Sequence, residues 1–322
     1  MSRTAVGILR GGTSREYGLS LKTGAAMLSS LPEERYDTRD IFIDKSGLWH
    51  MRGMPSSPAR ALAQIDVVLN ALHGGIGEDG TVQRVLDRAG IAYAGSRARA
   101  SNLSLNKTRA REVFRQNRIS IPRGASFSLD NSMTAQDMAR AVFSEFGPPY
   151  IIKPVSEGAG TGIIFVATII ELSGAIADVL DAYGAALVEE YLMGEEATVG
   201  VAEDFRGEEL YVFPPVHIEI PEGHKHIRYE HHEEGSLRYN VPSAFSHSEK
   251  RALADMARAA HRALGLSHFS RADIILTRRG PYLLEVNTHP GLYQGAAFPP
   301  MLESVGSSVR EFLEHAVSLA RQ

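Results

Sequence analysis

The amino-acid sequence predicts an α/β fold made of three units, with a parallel, doubly wound sheet in the first. Over about the first hundred residues, apolar runs that end in glycine-rich turns alternate with helical segments, which is typical of parallel sheets. After Arg99 the pattern changes to a small mixed α/β unit, and a third unit begins at Tyr191. The length of 322 residues accommodates three domains, since most domains contain roughly 100–200 residues.

The first unit is expected to bind a ligand at one edge of its sheet. Its predicted elements are a strand at 4–9, a helix at 20–31, strands at 36–44 and 63–72, and a helix at 82–89. Glycine-rich turns at 11–14 and 73–80 follow two of these strands. Ligands of open parallel sheets bind at the carboxyl ends of the strands, so these turns are candidate binding loops.

The second unit is predicted as a compact mixture of helices and strands. Its elements are a helix at 106–116, loops at Pro122 and 126–132, a helix at 134–146, strands at 150–153 and 163–169, a helix ending at Tyr183 and a strand at 185–190. Pro148-Pro149 ends the second helix, because proline cannot continue one.

The third unit combines strands with a long polar stretch. Its elements are strands near 197–201 and 210–213, the polar stretch at 219–246, a helix at 248–264, strands at 269–276 and 282–286, and a helix at 309–321. Ser246 and Glu249 form the S-x-x-E pattern that starts a helix.

The composition excludes several classes of function. A net charge of −4 and a pI near 6.3 give no bulk attraction to nucleic acid or anionic membranes. The absence of cysteine excludes disulfides, thiolate metal sites and cysteine nucleophiles. The apolar run at 5–9 is too short for a signal-peptide core, and no stretch approaches the roughly 20 apolar residues of a membrane span. We therefore expect a cytoplasmic protein without nucleic-acid or membrane partners.

Lys153 ends a predicted strand beside the glycine-rich stretch 157–162, an arrangement that can hold a polyphosphate. Glycines let backbone amides approach phosphate oxygens, and the ammonium group neutralises their charge. The stretch matches neither the Walker loop nor the dinucleotide-binding loop. A β-hairpin with a flexible turn explains the same residues, so both interpretations stand at this point.

Asp273 lies on one predicted strand, and Glu285 and Asn287 lie on the next, across a short turn. Glu285 and Asn287 share one face of their strand, because side chains alternate with a period of two. Oxygen ligands of this kind suit Mg²⁺ that also contacts substrate phosphates. The alternative is a surface hairpin with scattered charges.

The two turns of the first unit each carry an ionisable group, Glu16 and His73. A single loop histidine is usually an ordinary surface residue. Two such loops at neighbouring strand ends favour a ligand site instead.

Taken in order, these motifs resemble the D-alanine–D-alanine ligase family of the ATP-grasp superfamily. The resemblance rests on GGTSRE, ALHGGIGEDGTVQ, NKTRAREVF, IIKP, LVEEYLMGEE and RADII…YLLEVNTHPG, and it extends from Gly11 to the last helix. It implies a three-domain ATP-grasp fold: an N-terminal α/β substrate domain at 1–103, a central small domain at 104–188, and a C-terminal domain with a metal site at 189–322. It also implies ATP-dependent joining of two D-alanines through an acyl phosphate, for peptidoglycan precursors, by a homodimer.

The resemblance further implies roles for the matching residues. Lys107 and Lys153 would contact the ATP phosphates, Glu189 and the backbone after it the adenine edge, and Glu196 the ribose. Two Mg²⁺ ions, or Mn²⁺ in their place, would be bound by Asp273, Glu285 and Asn287. Glu16 would hold the ammonium group of the first substrate, with His73 nearby. Arg271 and the amide of Gly291 would stabilise charge at the reacting carboxyl carbon.

The sequence departs from the family pattern on the acceptor side. Ala159, Gly160 and Ala296 stand where the family has serines, and the histidine-rich stretch 224–232 lacks the usual Lys-Tyr. Ligases that make D-alanyl-D-lactate also carry histidine in that loop, so D-lactate or another acceptor is the alternative to D-alanine. A nucleotide-binding regulatory protein without turnover is a third hypothesis.

Overall fold

The computed structural model describes residues 3–130 and 132–322, and it contains three sheets within those ranges. The strands of the first sheet are β1 (Thr4–Gly11), β2 (Tyr36–Ile43), β3 (Trp49–Met51), β4 (Met54–Ser56), β5 (Val67–Asn70) and β6 (Ala92–Tyr93). They lie in the order β4-β3-β2-β1-β5-β6. The pairs β2–β1, β1–β5 and β5–β6 are parallel, as the alternating pattern predicts, whereas β3 and β4 form an antiparallel edge.

The helices of the first unit differ from prediction at 58–62 and at 98–105, where the sequence predicts no helix. They are α1 (Tyr17–Ser30), α2 (Pro58–Leu62), α3 (Thr81–Ala89) and α4 (Ala98–Leu105). The strand predicted at 63–72 is shorter, because α2 directly precedes it and only β5 pairs with β1. Ser57 accepts a hydrogen bond from the amide of Arg60 and thereby caps α2, which starts at a proline.

The second sheet is antiparallel, with the order β7-β10-β8-β9. Its strands are β7 (Gly124–Ser128), β8 (Tyr150–Pro154), β9 (Ile164–Val166) and β10 (Ala185–Glu190), and the helices of this unit are α5 (Lys107–Gln116), α6 (Ala135–Glu145) and α7 (Ile169–Tyr183). The loop predicted at 126–132 is wrong where it overlaps β7; residue 131 lies outside the described residues. The short polar sequence of β7 gave no strand signal, but pairing with β10 satisfies its backbone.

The third sheet has the order β14-β13-β11-β15-β16, and β12 also pairs with β11. Its strands are β11 (Glu195–Phe205), β12 (Glu208–Val212), β13 (Val216–Glu219), β14 (Arg238–Asn240), β15 (Phe269–Thr277) and β16 (Gly280–Asn287). The helices are α8 (Tyr229–Glu234), α9 (His247–Leu264), α10 (Phe298–Ser304) and α11 (Val309–Ala320). Ser246 and Glu249 form the predicted capping box of α9.

The first and third units share an apolar core, and the second unit has its own. Val6 and Ile8 of β1 belong to the same buried cluster as Phe298 of α10 and Phe312 of α11. The predicted domain boundaries at 103/104 and 188/189 fall inside α4 and β10, and they stay predictions. Among the described helices, none combines the length and the apolar character needed to cross a bilayer.

Candidate active site

Two loops meet at the carboxyl edge of the first sheet, as the sequence predicts. β1 and β5 are parallel neighbours, so the loop that contains Glu16 lies beside the loop that contains His73. The hydroxyl of Ser14 donates a hydrogen bond to the backbone oxygen of His73 over 2.5 Å and joins the two loops. The edge position of both residues therefore follows directly from the topology of the sheet.

Glu16 lies at the start of α1 and is only 7% exposed. Its carboxyl group packs against two glycines, where a side chain would collide with it. A Cβ at Gly74 would lie 2.6 Å from Glu16 Oε1, and a Cβ at Gly158 would lie 2.7 Å from the same atom. Burial, and next the charge of Glu285, raise the pKa of Glu16 to about 7, although Lys107 opposes this change. This carboxyl group needs a cationic partner in order to be fully ionised at neutral pH.

His73 is buried and neutral. Its Nε2 atom lies 2.7 Å from the hydroxyl of Thr23, and its ring also contacts the backbone of His289. Burial, and next the neighbouring His289, lower the pKa of His73 to about 3. Its contacts with α1 and with the loop after β16 hold together the walls of a small cavity, which is lined by Glu16, His73, Glu78, Arg271, Gly291 and Ala296.

A large cleft of about 280 Å³ adjoins this small cavity. Its charged lining includes Lys107, Lys153, Glu189, Glu196 and Asp273. The ammonium group of Lys107 lies 2.9 Å from a carboxylate oxygen of Glu285 and 2.5 Å from the backbone oxygen of Glu157. Lys107, Arg271 and Glu285 line both spaces, so the cleft and the cavity meet at these residues.

Glu189 is buried between two cations. One carboxylate oxygen lies 2.5 Å from the ammonium group of Lys153, and the other pairs with Arg111. The side chain is thus committed to ion pairs, which leaves the backbone after Glu189 to contact a base. Glu196 lines the same cleft, where burial, and next the charge of Asp273, raise its pKa to about 7.

The three predicted metal ligands converge on adjacent strands. Asp273 pairs with Glu285 in the register of β15 and β16, and the amide nitrogen of Asn287 donates to Asp273 Oδ2 over 2.8 Å. In residues 3–130 and 132–322, no group of three or more histidine, cysteine, aspartate or glutamate side chains could hold a metal ion. Two carboxylates and one amide fit Mg²⁺ only if phosphate and water oxygens complete its oxygen ligands.

Arg271 and Gly291 provide hydrogen-bond donors at the small cavity. Arg271 pairs with Asp273 through two bonds, of 3.0 Å from Nε and 2.7 Å from Nη2, so its Nη1 atom is left for another acceptor. Within the described part of the chain, the amide of Gly291 makes no hydrogen bond. These two groups are suited to meet negative charge that develops in the cavity.

Comparisons with known proteins agree with this arrangement. Models named "D-ala D-ala ligase N-terminus" and "D-ala D-ala ligase C-terminus" match residues 52–96 and 114–318. The D-alanine–D-alanine ligase of Desulforudis audaxviator is 30% identical over 98% of both chains, and that of Geobacter sulfurreducens is 32% identical over 98% of this chain and 93% of its own.

The chain belongs to the D-alanine–D-alanine ligase family. Solved structures of similar fold include the VanG D-Ala:D-Ser ligase from Enterococcus faecalis, with a TM-score of 0.85, 26% identity, and coverage of 99% of this chain and 100% of that one. A D-alanine–D-alanine ligase from Bacillus anthracis complexed with ATP has a TM-score of 0.81 and 24% identity, and the match covers 98% of this chain and 97% of that one. The predicted ATP-grasp fold is therefore confirmed.

The departures from the family pattern lie together in the structure. Ala159 and Ala296 both contact an apolar cluster that includes Leu19 and Tyr293. A Cβ at Gly160 would lie 2.6 Å from the backbone oxygen of Ile227, in the polar segment (residues 219–246). The glycine therefore permits a close approach between the glycine-rich stretch 157–162 and the polar segment.

Sequence reasoning missed several ionisable residues that line the small cavity, among them Glu78 and His232. His232, on α8, lines both the cavity and the cleft, and burial, followed by the charge of Arg271, lowers its pKa to about 4. Glu78 lies in the same glycine-rich loop as His73, so the loop sequence carried the signal. The sequence could not single out His232, because several other histidines lie close to it in the polar segment.

Proposed function

We propose that the protein joins two D-alanine molecules, with ATP cleaved to ADP and phosphate, by way of an acyl phosphate. The observation that carries this proposal is the junction of the large cleft with the small cavity at Lys107, Arg271 and Glu285. A nucleotide in the cleft can direct its terminal phosphate towards a carboxylate in the cavity. This is the reaction for which the family is named, and its product is a precursor of peptidoglycan.

The binding of ATP would replace ion pairs that now lie within the cleft. Lys107 and Lys153 now pair with Glu285 and Glu189, so phosphate oxygens would take over these ammonium groups. The backbone after Glu189 would bind the adenine edge, and Glu196 the ribose hydroxyls. The cleft lining has six acidic and four basic side chains, so the nucleotide would bring its negative charge together with its metal rather than alone.

Asp273, Glu285 and Asn287 would hold Mg²⁺, with Mn²⁺ as a substitute. When bound, the metal neutralises phosphate charge during transfer. Asp273 is kept in place by Arg271 and by the hydroxyl of Thr198, which donates to its Oδ1 over 2.7 Å. Release of Glu285 from Lys107 would supply the second carboxylate.

The first D-alanine would lie in the small cavity with its ammonium group at Glu16. His73 would hold the wall of the cavity in place. The carboxylate oxygen of this D-alanine attacks the terminal phosphate of ATP, and ADP leaves. The amine of the second D-alanine then attacks the acyl carbon, and phosphate departs with the electron pair of the C–O bond and takes up the proton that the nitrogen loses. Arg271 Nη1 and the Gly291 amide would donate to the oxyanion, a kind of contact worth about 3–4 kcal/mol.

D-Lactate is the second acceptor candidate, because a histidine, His232, lines the junction of the two spaces. Its lowered pKa keeps this imidazole uncharged at neutral pH, so it does not repel an approaching ammonium or amine. A neutral His232 therefore permits D-alanine as the acceptor and does not distinguish it from D-lactate. A homodimer and a cytoplasmic location remain predictions from the family resemblance.

Product analysis tests the proposal. The purified protein is incubated with ATP, Mg²⁺ and D-alanine, with and without D-lactate or L-amino acids. We expect one D-alanyl-D-alanine for each ADP, measured by mass spectrometry and coupled ADP release. A product that contains D-lactate in excess would reassign the acceptor, and a lack of D-alanine-dependent ADP release would contradict ligase activity.

A further inference from the structure

Glu78 is a second buried carboxyl group in the small cavity, and no step above uses it. It lies between a 3-10 turn at Gly75–Gly77 and the start of α3, and like Glu16 it is 7% exposed. Both side chains line the cavity. Over the described ranges 3–130 and 132–322, neither carboxyl group takes part in a hydrogen bond. Both carboxyl groups therefore line the same cavity without a hydrogen-bond partner among the described residues.

In its ionised form such a pair is unfavourable unless a cation joins it. Burying a carboxylate without a donor costs several kcal/mol, and two carboxylates close together repel each other. Burial, then the charges of Glu16 and Glu285, raise the pKa of Glu78 to about 8. The two cations that lower its pKa each pair with another carboxylate, Arg271 with Asp273 and Lys107 with Glu285.

We propose that Glu78 and Glu16 together hold the ammonium group of the D-alanine that donates its carboxyl group, and that His289 positions Glu78. This inference rests on the proposed function. The donor is the substrate whose ammonium group stays charged throughout the reaction. The acceptor must lose a proton before its nitrogen can attack, and a site with two carboxylates would oppose that loss.

The position of His289 follows from the hydrogen bonds of Asn70. Asn70 Oδ1 accepts from the amide of Leu72 over 3.1 Å, so the other side-chain atom is the nitrogen. That nitrogen donates to the backbone oxygen of Gly77 over 2.9 Å and faces His289 Nε2 at 3.2 Å. Nε2 is then the acceptor, and the ring proton lies on Nδ1.

The protonated Nδ1 atom of His289 lies 3.8 Å from Oε1 of Glu78 and 3.1 Å from the hydroxyl of Thr288. Its N–H bonds to the Thr288 hydroxyl, and its positive end is near enough to attract the Glu78 carboxyl group electrostatically without a hydrogen bond. Glu78 is held in orientation while its oxygens stay available to a ligand. His289 acts through Glu78 and is a positioning residue.

Donor selectivity tests this proposal, with excess hydroxylamine as the acceptor in place of the second D-alanine. Hydroxylamine converts the acyl phosphate to a hydroxamate, with phosphate as the leaving group, and the product is measured with D-alanine or with propionate, which lacks the amino group. For Glu78→Gln, we expect the KM for D-alanine to rise about 10- to 100-fold, while the KM for propionate and for ATP stays unchanged. His289→Phe, which removes the N–H, should give a smaller loss of the same selectivity.

Glu34→Gln is the matched control, because Glu34 is an exposed carboxylate far from any assigned role. A melting curve at pH 6 shows whether each variant folds. Equal losses for D-alanine and propionate in Glu78→Gln, or an unchanged KM for D-alanine, would overturn the proposal. If the unaltered protein forms no D-alanine hydroxamate, the proposed function fails instead, and calorimetric binding of D-alanine to it and to Glu78→Gln decides the role of Glu78.

Discussion

At the scale of single residues, Glu285 is shared by several parts of the site. It lies 2.9 Å from Lys107, pairs with Asp273 across β15 and β16, and raises the pKa of both Glu16 and Glu78. One carboxylate therefore connects the cleft, the metal candidates and the small cavity. Its partners in this structure differ from those that it would have during the reaction.

Replacing Glu285 with glutamine should remove turnover and leave the fold intact. We expect ligase activity to fall at least about 100-fold, because a metal ligand is lost, and the Mg²⁺ concentration for half activity to rise. The side chain is 22% exposed, so its loss leaves no large buried cavity. Mg²⁺ titrations of Glu285→Gln and of the control Glu34→Gln measure this effect. An unchanged Mg²⁺ dependence would show that Glu285 binds no metal.

At the scale of elements, the polar segment closes the site through contacts with two other parts of the chain. The ammonium group of Lys22, on α1, donates to the backbone oxygen of Glu233 over 2.8 Å. The hydroxyl of Tyr191 donates to the backbone oxygen of Lys225 over 3.3 Å. The approach to Gly160 completes this closure, so the glycine-rich loop and the polar segment should exclude water from the acyl phosphate together.

Gly160→Ala should therefore uncouple ATP cleavage from product formation. The new Cβ would lie 2.6 Å from the oxygen of Ile227, and the φ angle of +75° disfavours alanine. We expect the ratio of ADP to D-alanyl-D-alanine to rise well above one, since water would reach the acyl phosphate. Gly174→Ala on α7 is the matched control, because a Cβ there meets nothing within 4 Å. A ratio of one in Gly160→Ala would contradict the role of this contact.

Local sequence predicts those elements whose signal is contained in their own residues. β10, with its compact apolar run, lies where the sequence predicts it, at 185–190, and the helix after Ser246 begins at its capping box. β3, β4 and β7 have only three to five residues, so neither alternation nor composition distinguishes them from loops. Pairing with distant strands decides their structure.

The same distinction applies to the site. The neighbouring positions of Glu16 and His73 follow from parallel strands, which sequence can predict. The pairing of Glu189 with Lys153 and Arg111 cannot be predicted that way, because it joins three separate elements. The reason for glycine at position 160 lies in a backbone 67 residues further along the chain, at Ile227. Such contacts exist only once the units have packed together.

At the scale of the whole molecule, the cleft and the cavity lie where separate cores meet. The first and third units form one body, since α11 packs against α1 and β5. The second unit packs around its own cluster, which includes Ile152, Leu172 and Val188. The ionisable groups enclosed between these bodies lose water on folding, and they should therefore control how stability depends on pH.

Two sets of buried groups have opposite effects on how the stability of the fold changes with pH. Glu16, Glu78 and Glu196 have pKa values raised to about 7, 8 and 7, so they hold more protons in the folded than in the unfolded chain above pH 4.5. Their contribution to stability is complete below pH 4.5 and is lost as pH rises towards 8. The pKa values of the buried histidines His73, His226, His232 and His289 are lowered to between about 3 and 4. Their contribution is present above pH 6.5 and is lost as pH falls.

The ligand-free protein should consequently be most stable near pH 6, and its melting temperature should fall by several degrees between pH 6.5 and 8. In that interval the carboxyl groups dominate the change, because the histidines are neutral in the folded chain and become largely neutral in the unfolded chain as well. Glu78→Gln cannot ionise and should make the decline shallower, whereas the exposed Glu34→Gln should not. Melting curves at half-unit pH intervals measure these slopes. Parallel curves for Glu78→Gln and the unaltered protein would mean that Glu78 is ionised in the folded state, and its cation would then have to come from the protein itself.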